Sequence, residues 1–383
     1  MKSNNNIFND IRPYLDSEVP NAIAQLVADE NFRKVAEPIV KPHTWEQFSE
    51  NLMQCKSKDD FQSIAVYPIM RGLIKKTTSE MQGSNWENID KNKGHLFISN
   101  HRDIILDAAF FNMLLFDNNT QTTEIAIGDN LLIYPWIEKL VRINKSFIVK
   151  RGVSVRQMLE VSGQLSNYIN QTINVRNRSI WLAQREGRAK DSNDKTQTSL
   201  LKMLTLSDRS NPIGVLKQLN ITPLSISYEY DPCDFLKAKE FQLKRDNANH
   251  KKTQADDIKN MYTGMVGFKG RVHFKLGKPI NYQLLDISTE IKRGELLQTV
   301  ADIIDKEIYL NYTFYPINYV AYDLMTDSKS FTSYYNNDDI SRFESYLNNQ
   351  ITKIDIQNKD IDFLRMRIIE MYGNTVKNYL SVK

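Results

Sequence analysis

The chain has 383 residues, of which 41% are hydrophobic and 25% are charged, a balance typical of globular proteins. Its 50 basic and 46 acidic residues leave a formal net charge of only +4, which excludes binding of polyanions through overall charge. We therefore expect no nucleic-acid role, and any anion site must be local.

The cysteines and the start of the chain indicate the compartment. Cys55 and Cys233 are the only cysteines and lie far apart, so we expect neither a disulfide framework nor a cysteine-based metal site. The polar run MKSNNNIFND predicts no signal peptide. No stretch approaches the ~20 apolar residues that cross a bilayer. We expect a cytoplasmic protein that meets any membrane from its surface.

The predicted elements change in character along the chain. Residues up to about Ile89 show helical spacing of apolar side chains, whereas short apolar runs recur from Gly94. These runs are HLFISN, EIAIGD, SFIVK, SIWLAQ, ITPLSISYEY and RVHFKLG, and the helical patterns between them are Asp103 to Phe116, Val153 to Arg176 and Thr196 to Leu206. The alternation predicts an α/β fold with a mixed, mostly parallel central sheet and flanking helices.

The sequence after Pro279 is predicted to be helical again. The segment STEIKRGELLQTVADIIDKEIYL is followed by a tyrosine-rich connector and two further helices. The segment ISYEYDPCDFLKAKEFQLKRDN is predicted to be a surface connection, and the aromatic cluster from Tyr309 to Tyr322 to pack in the core. We divide the chain into a helical N-terminal region (1–90), an α/β core (91–285) and a helical C-terminal region (286–383).

His101 follows the predicted strand LFIS and precedes a helix, at the sheet edge where open α/β folds bind ligands. Asp103 and Asp107 are one turn apart and share a face. Either carboxylate could hold one imidazole nitrogen and leave the other as a general base. The triplet His-Arg-Asp is not a kinase loop, because Ala108 stands where the magnesium-binding Asn is needed and no Asp-Phe-Gly follows.

Two further strand ends carry candidate binding residues. Arg151 comes directly after SFIVK, and Glu186, Gly187 and Arg188 come after IWLAQR. Gly187 permits a tight turn, and the planar fork of Arg188 suits phosphate. Three strand ends thus supply a His-Asp pair, an arginine and a Glu-Gly-Arg turn.

In order and spacing, these blocks resemble the four sequence blocks of the glycerolipid acyltransferase family, which includes glycerol-3-phosphate and lysophosphatidate acyltransferases. The resemblance covers about Gly94 to Tyr230: a His and an Asp in the first block, FIVKR in the second, Glu186-Gly187-Arg188 in the third and ITPLSIS in the fourth. There are two departures. Five residues instead of four separate His101 from Asp107, and Arg188 directly follows Gly187, so that Arg188 or Lys190 is the phosphate partner.

The resemblance implies an O-acyltransferase of phospholipid or related polar-lipid biosynthesis. An acyl group would pass from acyl-CoA or acyl carrier protein to a hydroxyl of glycerol phosphate, lysophosphatidate or a related lysolipid, without cofactor or metal. His101 would be the general base, oriented by Asp107 in preference to Asp103, which is expected to cap the helix. Arg151, Glu186, Gly187, Arg188 and Lys190 would bind substrate. Peripheral attachment to the cytoplasmic membrane face is expected.

Two alternatives remain. One is a catalytically decayed, acyltransferase-like lipid-binding or scaffold protein, suggested by the extra residue in the first block. The other is a thioesterase or related hydrolase, but no Gly-x-Ser-x-Gly motif occurs and Cys233 has no evident base nearby.

Overall fold

The computed structural model describes residues 7–287 and 291–383. The polar run at positions 1–6 and the first three residues of the predicted helix STEIKRGELLQTVADIIDKEIYL lie outside these ranges. Within them, seven strands form one sheet in the order β1-β7-β6-β2-β5-β3-β4. The strands are β1 Glu80–Ser84, β2 Leu96–Ser99, β3 Glu124–Gly128, β4 Ser146–Val149, β5 Ile180–Ala183, β6 Ile221–Tyr228 and β7 Arg271–Leu276.

The helices fall into three groups along the chain. The first group comprises α1 Val19–Val27, α2 Glu30–Ala36, α3 Trp45–Met53, α4 Lys58–Phe61 and α5 Tyr67–Thr77. The second comprises α6 Leu106–Asp117, α7 Pro135–Ile143, α8 Val155–Asn174, α9 Thr198–Leu204, α10 Pro212–Gln218, α11 Asp234–Asp246 and α12 Gln254–Val266. The third comprises α13 Arg293–Leu310, α14 Pro316–Thr326, α15 Asn337–Thr352 and α16 Ile361–Leu380.

The sheet is mixed and mostly parallel, which confirms the predicted α/β class. Strands β6, β2, β5, β3 and β4 run parallel to one another, whereas β7 is antiparallel to β6 and carries β1 alongside it. The carboxyl ends of the five parallel strands therefore meet at one edge of the sheet. Every predicted strand is present.

The central strands are buried on both faces because helices cover both sides of the sheet. Side chains alternate along each strand, so that Leu96 and Ile98 join one apolar cluster with α8, α9 and α13. Phe97, between them, joins a second cluster with α6 and with Trp181 of β5. Fully buried apolar strands of this kind explain the short continuous runs in the sequence.

The structure corrects three details of the sequence prediction. Residues Glu80–Ser84, within the segment expected to be helical, form the edge strand β1. The segment expected to be a surface connection forms α11, which is buried against the C-terminal helices. The second half of the tyrosine-rich connector is α14, which begins at Pro316 with the ring in the first turn, where proline is favoured.

The helical regions at both ends pack on the α/β part of the chain. Side chains of α1 and α3 form a cluster with Trp136 and Ile143 of α7. As expected, the tyrosine cluster is largely internal, since Tyr309, Tyr312 and Tyr315 are buried. No helix within the described ranges combines the length and apolar character needed to cross a bilayer. The division at residues 90 and 285 stays a prediction, and the sheet itself begins at β1.

We predict that Phe343→Ala lowers the denaturation midpoint of the whole protein. The ring is fully buried in the cluster that α11 shares with α14 to α16, and removing such a side chain costs about 3–5 kcal/mol. The measurement is urea denaturation followed by fluorescence and circular dichroism. Tyr282→Ala, at a ring that is 81% exposed, is the control. Equal midpoints for the two variants would contradict the packing described.

Candidate active site

The loop that carries His101 leaves the centre of the sheet in a fixed direction. Asn100, directly after β2, is fully buried. Its amide nitrogen donates to the carbonyl of Ile226 in β6, and its oxygen accepts from the Ile226 amide, both at 2.8 Å. Because the two hydrogen bonds imitate a strand pairing, they hold the start of the loop against the neighbouring strand.

The His101 ring is bonded to Asp107. Nδ1 lies 2.8 Å from Asp107 Oδ2, and the same oxygen accepts the amides of Arg102 at 2.6 Å and Asp103 at 3.1 Å. The Asp107 side chain is fully buried and the His101 side chain is 12% exposed. Within the described chain, Nε2 has no hydrogen bond. The carboxylate therefore fixes the ring while leaving one nitrogen for chemistry.

Asp103 is engaged elsewhere. Its Oδ1 accepts the amides of Ile105 at 2.9 Å and Leu106 at 2.8 Å, which are unpaired donors at the start of α6. Burial, and then the charge of Asp107, raise the pKa of Asp103. Its other oxygen lies against Gly264 of α12, where an added Cβ would be 1.9 Å away. Only glycine lets the backbone of α12 approach this closely.

The extra residue of the first block is accommodated by the loop. Helix α6 begins only at Leu106, so the four residues from Arg102 to Ile105 form an irregular turn, and the amides of Arg102 and Asp103 are bonded to the Asp107 carboxylate. Leu106, at the position of the family's aspartate, is fully buried in the apolar cluster beside the sheet. The spacing therefore differs from that of the family while a His-Asp contact is kept.

Trp181 forms an apolar wall beside the histidine. Its ring lies edge-on to the His101 ring at 5.7 Å between centroids, and its indole nitrogen donates to Ser99 Oγ at 3.1 Å. The sequence prediction did not include this residue. Strand alternation would have indicated it, because Trp181 pairs with Phe97 and so shares a face with the end of β2.

Arg102, also missed by the sequence prediction, holds the loop from the other side. Its guanidinium makes two hydrogen bonds to Asp194, at 2.9 Å and 2.6 Å, and both side chains are buried. Burial disfavours the charge of Arg102, but the carboxylate of Asp194 raises its pKa overall. Asp194 Oδ2 also accepts the hydroxyl of Tyr312 at 2.6 Å. The active-site loop is thus tied to the chain that follows α13.

The second and third sequence blocks meet at the carboxyl edge of the sheet. Arg151, after β4, forms an ion pair with Glu186, after β5, and its amide donates to Asp129 at 3.0 Å. Gly187 adopts a φ of +70°, a left-handed conformation that favours glycine, and the space beside its Cα is open. Glu186, directly before this turn, and Arg151 are both exposed at the sheet edge.

Arg188 and Lys190 instead contact helices α12 and α11. Arg188 Nη2 donates to Asn260 of α12 at 2.9 Å, and its Nη1 is buried without a partner among the described residues. Lys190 pairs with Glu240 of α11, and burial lowers the pKa of the lysine. Arg188 therefore has one buried donor without a partner among the described residues, whereas the charge of Lys190 is paired with Glu240.

Both cysteine thiols and His95 have structural partners. The thiol of Cys233 is buried and donates to the Asn260 carbonyl at 3.4 Å, and burial raises its pKa to about 12. His95 is buried between Thr222 and the Asp90 carbonyl. No group of metal-ligating side chains occurs within residues 7–287 and 291–383.

The Acyltransferase family model matches residues 80–209. This segment contains β1 to β5, the His101–Asp107 pair, Arg151 and the Glu186 turn. Residues 80–209 are therefore similar to the acyltransferase family, in agreement with the resemblance seen in the sequence blocks.

No curated protein matches the chain. Among solved structures, it is similar to the 1-acyl-sn-glycerophosphate (LPA) acyltransferase PlsC from Thermotoga maritima, with 13% identity and a TM-score of 0.35, over 78% of this chain and 96% of that one.

We predict that Arg102→Leu is much more harmful to stability than the double variant Arg102→Leu/Asp194→Leu. The single variant leaves a buried, unpaired carboxylate, which costs about 3–5 kcal/mol, whereas removing both charges leaves neither uncompensated. Denaturation midpoints of both variants and of Asp194→Leu complete the cycle. A double variant that loses the sum of the two single losses would show that the pair does not interact.

We predict that Asp107→Asn lowers turnover by roughly 10²–10⁴-fold, because an amide favours the wrong imidazole tautomer and cannot stabilise the imidazolium. Asp103→Asn is the matched control and should be mild, since asparagine oxygen can still accept the Ile105 and Leu106 amides. Turnover and melting curves are measured for both. A severe catalytic loss in Asp103→Asn with near-normal Asp107→Asn would reverse the assignment.

Proposed function

We propose that this acyltransferase moves a fatty acyl group from an acyl thioester to a hydroxyl of glycerol phosphate, lysophosphatidate or a related lysolipid. The observation that carries the proposal is the His101 Nδ1 to Asp107 Oδ2 contact of 2.8 Å at the carboxyl edge of the sheet, inside the segment that matches the acyltransferase family.

The reaction follows from the free nitrogen of the ring. Nε2 of neutral His101 takes the proton of the acceptor hydroxyl as its oxygen attacks the thioester carbonyl. The imidazolium that forms is stabilised by the carboxylate of Asp107. When the tetrahedral intermediate collapses, the carbon–sulfur bond breaks and the imidazolium returns the proton to the leaving thiolate. The ester and a free thiol are the products.

The oxyanion of that intermediate needs donors that are not already used. At the start of α6, the amides of Arg102, Asp103, Ile105 and Leu106 are bonded to the two aspartates. The amide of Glu186 is bonded to Gln197. We therefore favour the Gly187 amide, in its open left-handed turn, as an oxyanion donor.

The acceptor's anionic head would be held by arginines. Arg151 is the accessible one, and a phosphate would compete with Glu186 for it in a bidentate arrangement. The unpartnered Nη1 of Arg188 is a second donor, whereas Lys190 would reach the head only by exchanging its partner Glu240 for it. Such contacts orient the hydroxyl toward His101 and so convert binding into rate.

The donor would be acyl-CoA or acyl carrier protein, with no cofactor, and the setting would be phospholipid biosynthesis at the cytoplasmic face of a membrane. The chain would attach there peripherally. The scaffold alternative rested on the extra residue in the first block. Because that residue lies in the turn between His101 and α6, the ground for a decayed site is weakened.

We predict that His101→Ala lowers acyl transfer by roughly 10²–10⁴-fold or more, the contribution of a general base. The assay follows labelled acyl-CoA and acyl carrier protein with glycerol 3-phosphate and lysophosphatidate as acceptors. His43→Ala, at an exposed position, is the control and should keep full activity. Near wild-type turnover of His101→Ala would remove the assignment, and thioester cleavage that is independent of acceptor would indicate a hydrolase.

A further inference from the structure

The inner side of α12 forms part of the candidate active site. Asn260 accepts a hydrogen bond of 2.9 Å from Arg188, and one turn later the backbone of Gly264 lies against the Asp103 carboxylate. Both contacts are made by residues outside the segment that matches the family. The helix therefore lies directly over the histidine loop.

The outer side of the same helix is apolar and uncovered. Ile258, Tyr262 and Val266 follow one another at intervals of four residues and are 43%, 64% and 49% exposed. Phe268, just beyond the helix end, is 57% exposed. Single exposed apolar residues are common, but three on one side of a helix, with Phe268 beside two of them, make a patch of the kind that marks an interaction surface. We call these four residues the α12 face.

An open cavity adjoins the α12 face. It has a volume of about 460 Å³ and is lined by Tyr262, Val266 and Phe268 of the face, together with Phe235 of α11 and Tyr346 of α15. The lining is mainly aromatic and aliphatic. A surface that leads into an apolar cavity suits flexible hydrocarbon better than it suits a folded, rigid protein partner.

Three exposed lysines accompany the α12 face and its cavity. Lys251 and Lys259 are exposed beside the face, and Lys353, also exposed, lines the cavity. The two aspartates in the first turn of α12 are engaged, one in the capping box with the Thr253 amide and the other with Lys252 at 3.0 Å. An apolar face with a basic border matches the chemistry of an anionic lipid surface.

We propose that the α12 face is the surface with which this protein docks on anionic phospholipid bilayers. This inference rests on the proposed function, because docking would explain how a lipid acceptor reaches His101. A helix with its side chains is about 10–12 Å across. Docking through the outer side of α12 therefore brings the site on its inner side to within one helix diameter of the headgroups.

The test is vesicle sedimentation of the full chain with mixed phosphatidylcholine–phosphatidylglycerol vesicles and with pure phosphatidylcholine vesicles. Wild type should bind the mixed vesicles more tightly. Tyr262→Ser/Phe268→Ser should weaken that binding about tenfold or more, because it removes two aromatic rings from the lipid contact. Lys251→Gln/Lys259→Gln should abolish the preference for the anionic vesicles.

The matched control is Tyr282→Ser/Leu285→Ser, which removes side chains that are 81% and 62% exposed. They follow Ile280, whose amide bonds Ile221 at the amino end of β6, so they lie at the sheet edge away from the site. This variant should bind vesicles like wild type. Unchanged binding of Tyr262→Ser/Phe268→Ser, or an equal loss in the control, would overturn the proposal.

Two further measurements separate docking from catalysis. Turnover of Tyr262→Ser/Phe268→Ser on short-chain acyl-CoA and glycerol 3-phosphate, both in solution, should equal that of wild type. If its vesicle binding is normal but its KM for acyl carrier protein rises, the α12 face is a carrier-protein surface and the lipid proposal is wrong. Vesicle binding needs no turnover, so a wild type that docks without transferring acyl groups would overturn the proposed function alone.

Discussion

One carboxylate oxygen sets the geometry of the whole site. Asp107 Oδ2 accepts the imidazole of His101 and the amides of Arg102 and Asp103, so a single buried atom fixes the ring and the backbone of the loop together. Hydrogen bonds from several donors offset the free-energy cost of burying a carboxylate. Loss of any one donor would leave part of that cost uncompensated. The irregular turn between β2 and α6 is a consequence of this constraint.

The rest of the molecule supports that turn from three directions. Asn100 ties its start to β6, the Arg102–Asp194 pair ties its middle to the loop after β5, and Gly264 lies against Asp103 at its end. Each contact comes from a different part of the chain. Positioning residues of this kind keep catalytic groups within a fraction of an ångström of their working geometry, and here they come from β6, from the loop after β5 and from α12.

The sequence predicted the sheet and the His101 pair well because both have local signals. Buried parallel strands appear as short apolar runs, and the histidine follows one of them. Strand β1, EMQGS, was missed because an edge strand paired on one side has little apolar content. The sequence of helix α11 does not indicate burial because its buried side includes Asp234, Lys237 and Glu240. Asp234 and Glu240 are bonded to Tyr346 and Lys190, which are distant in sequence. The Arg102–Asp194 pair spans 92 positions, beyond any local pattern.

The reversed direction of β7 makes the position of Tyr312 in the active site depend on the length of α13. Because β7 runs antiparallel to β6, it ends at the sheet edge opposite the active site. There the amide of Ile280 donates to Ile221, the first residue of β6. Helix α13 has 18 residues and so spans about 27 Å, after which Thr313 bonds Ser227 near the other end of β6. The chain thus returns to the active-site edge of the sheet, where the Tyr312 hydroxyl donates to Asp194. The length of α13 therefore has to match the length of β6, and inserting or deleting a helical turn in α13 would move Tyr312 away from Asp194.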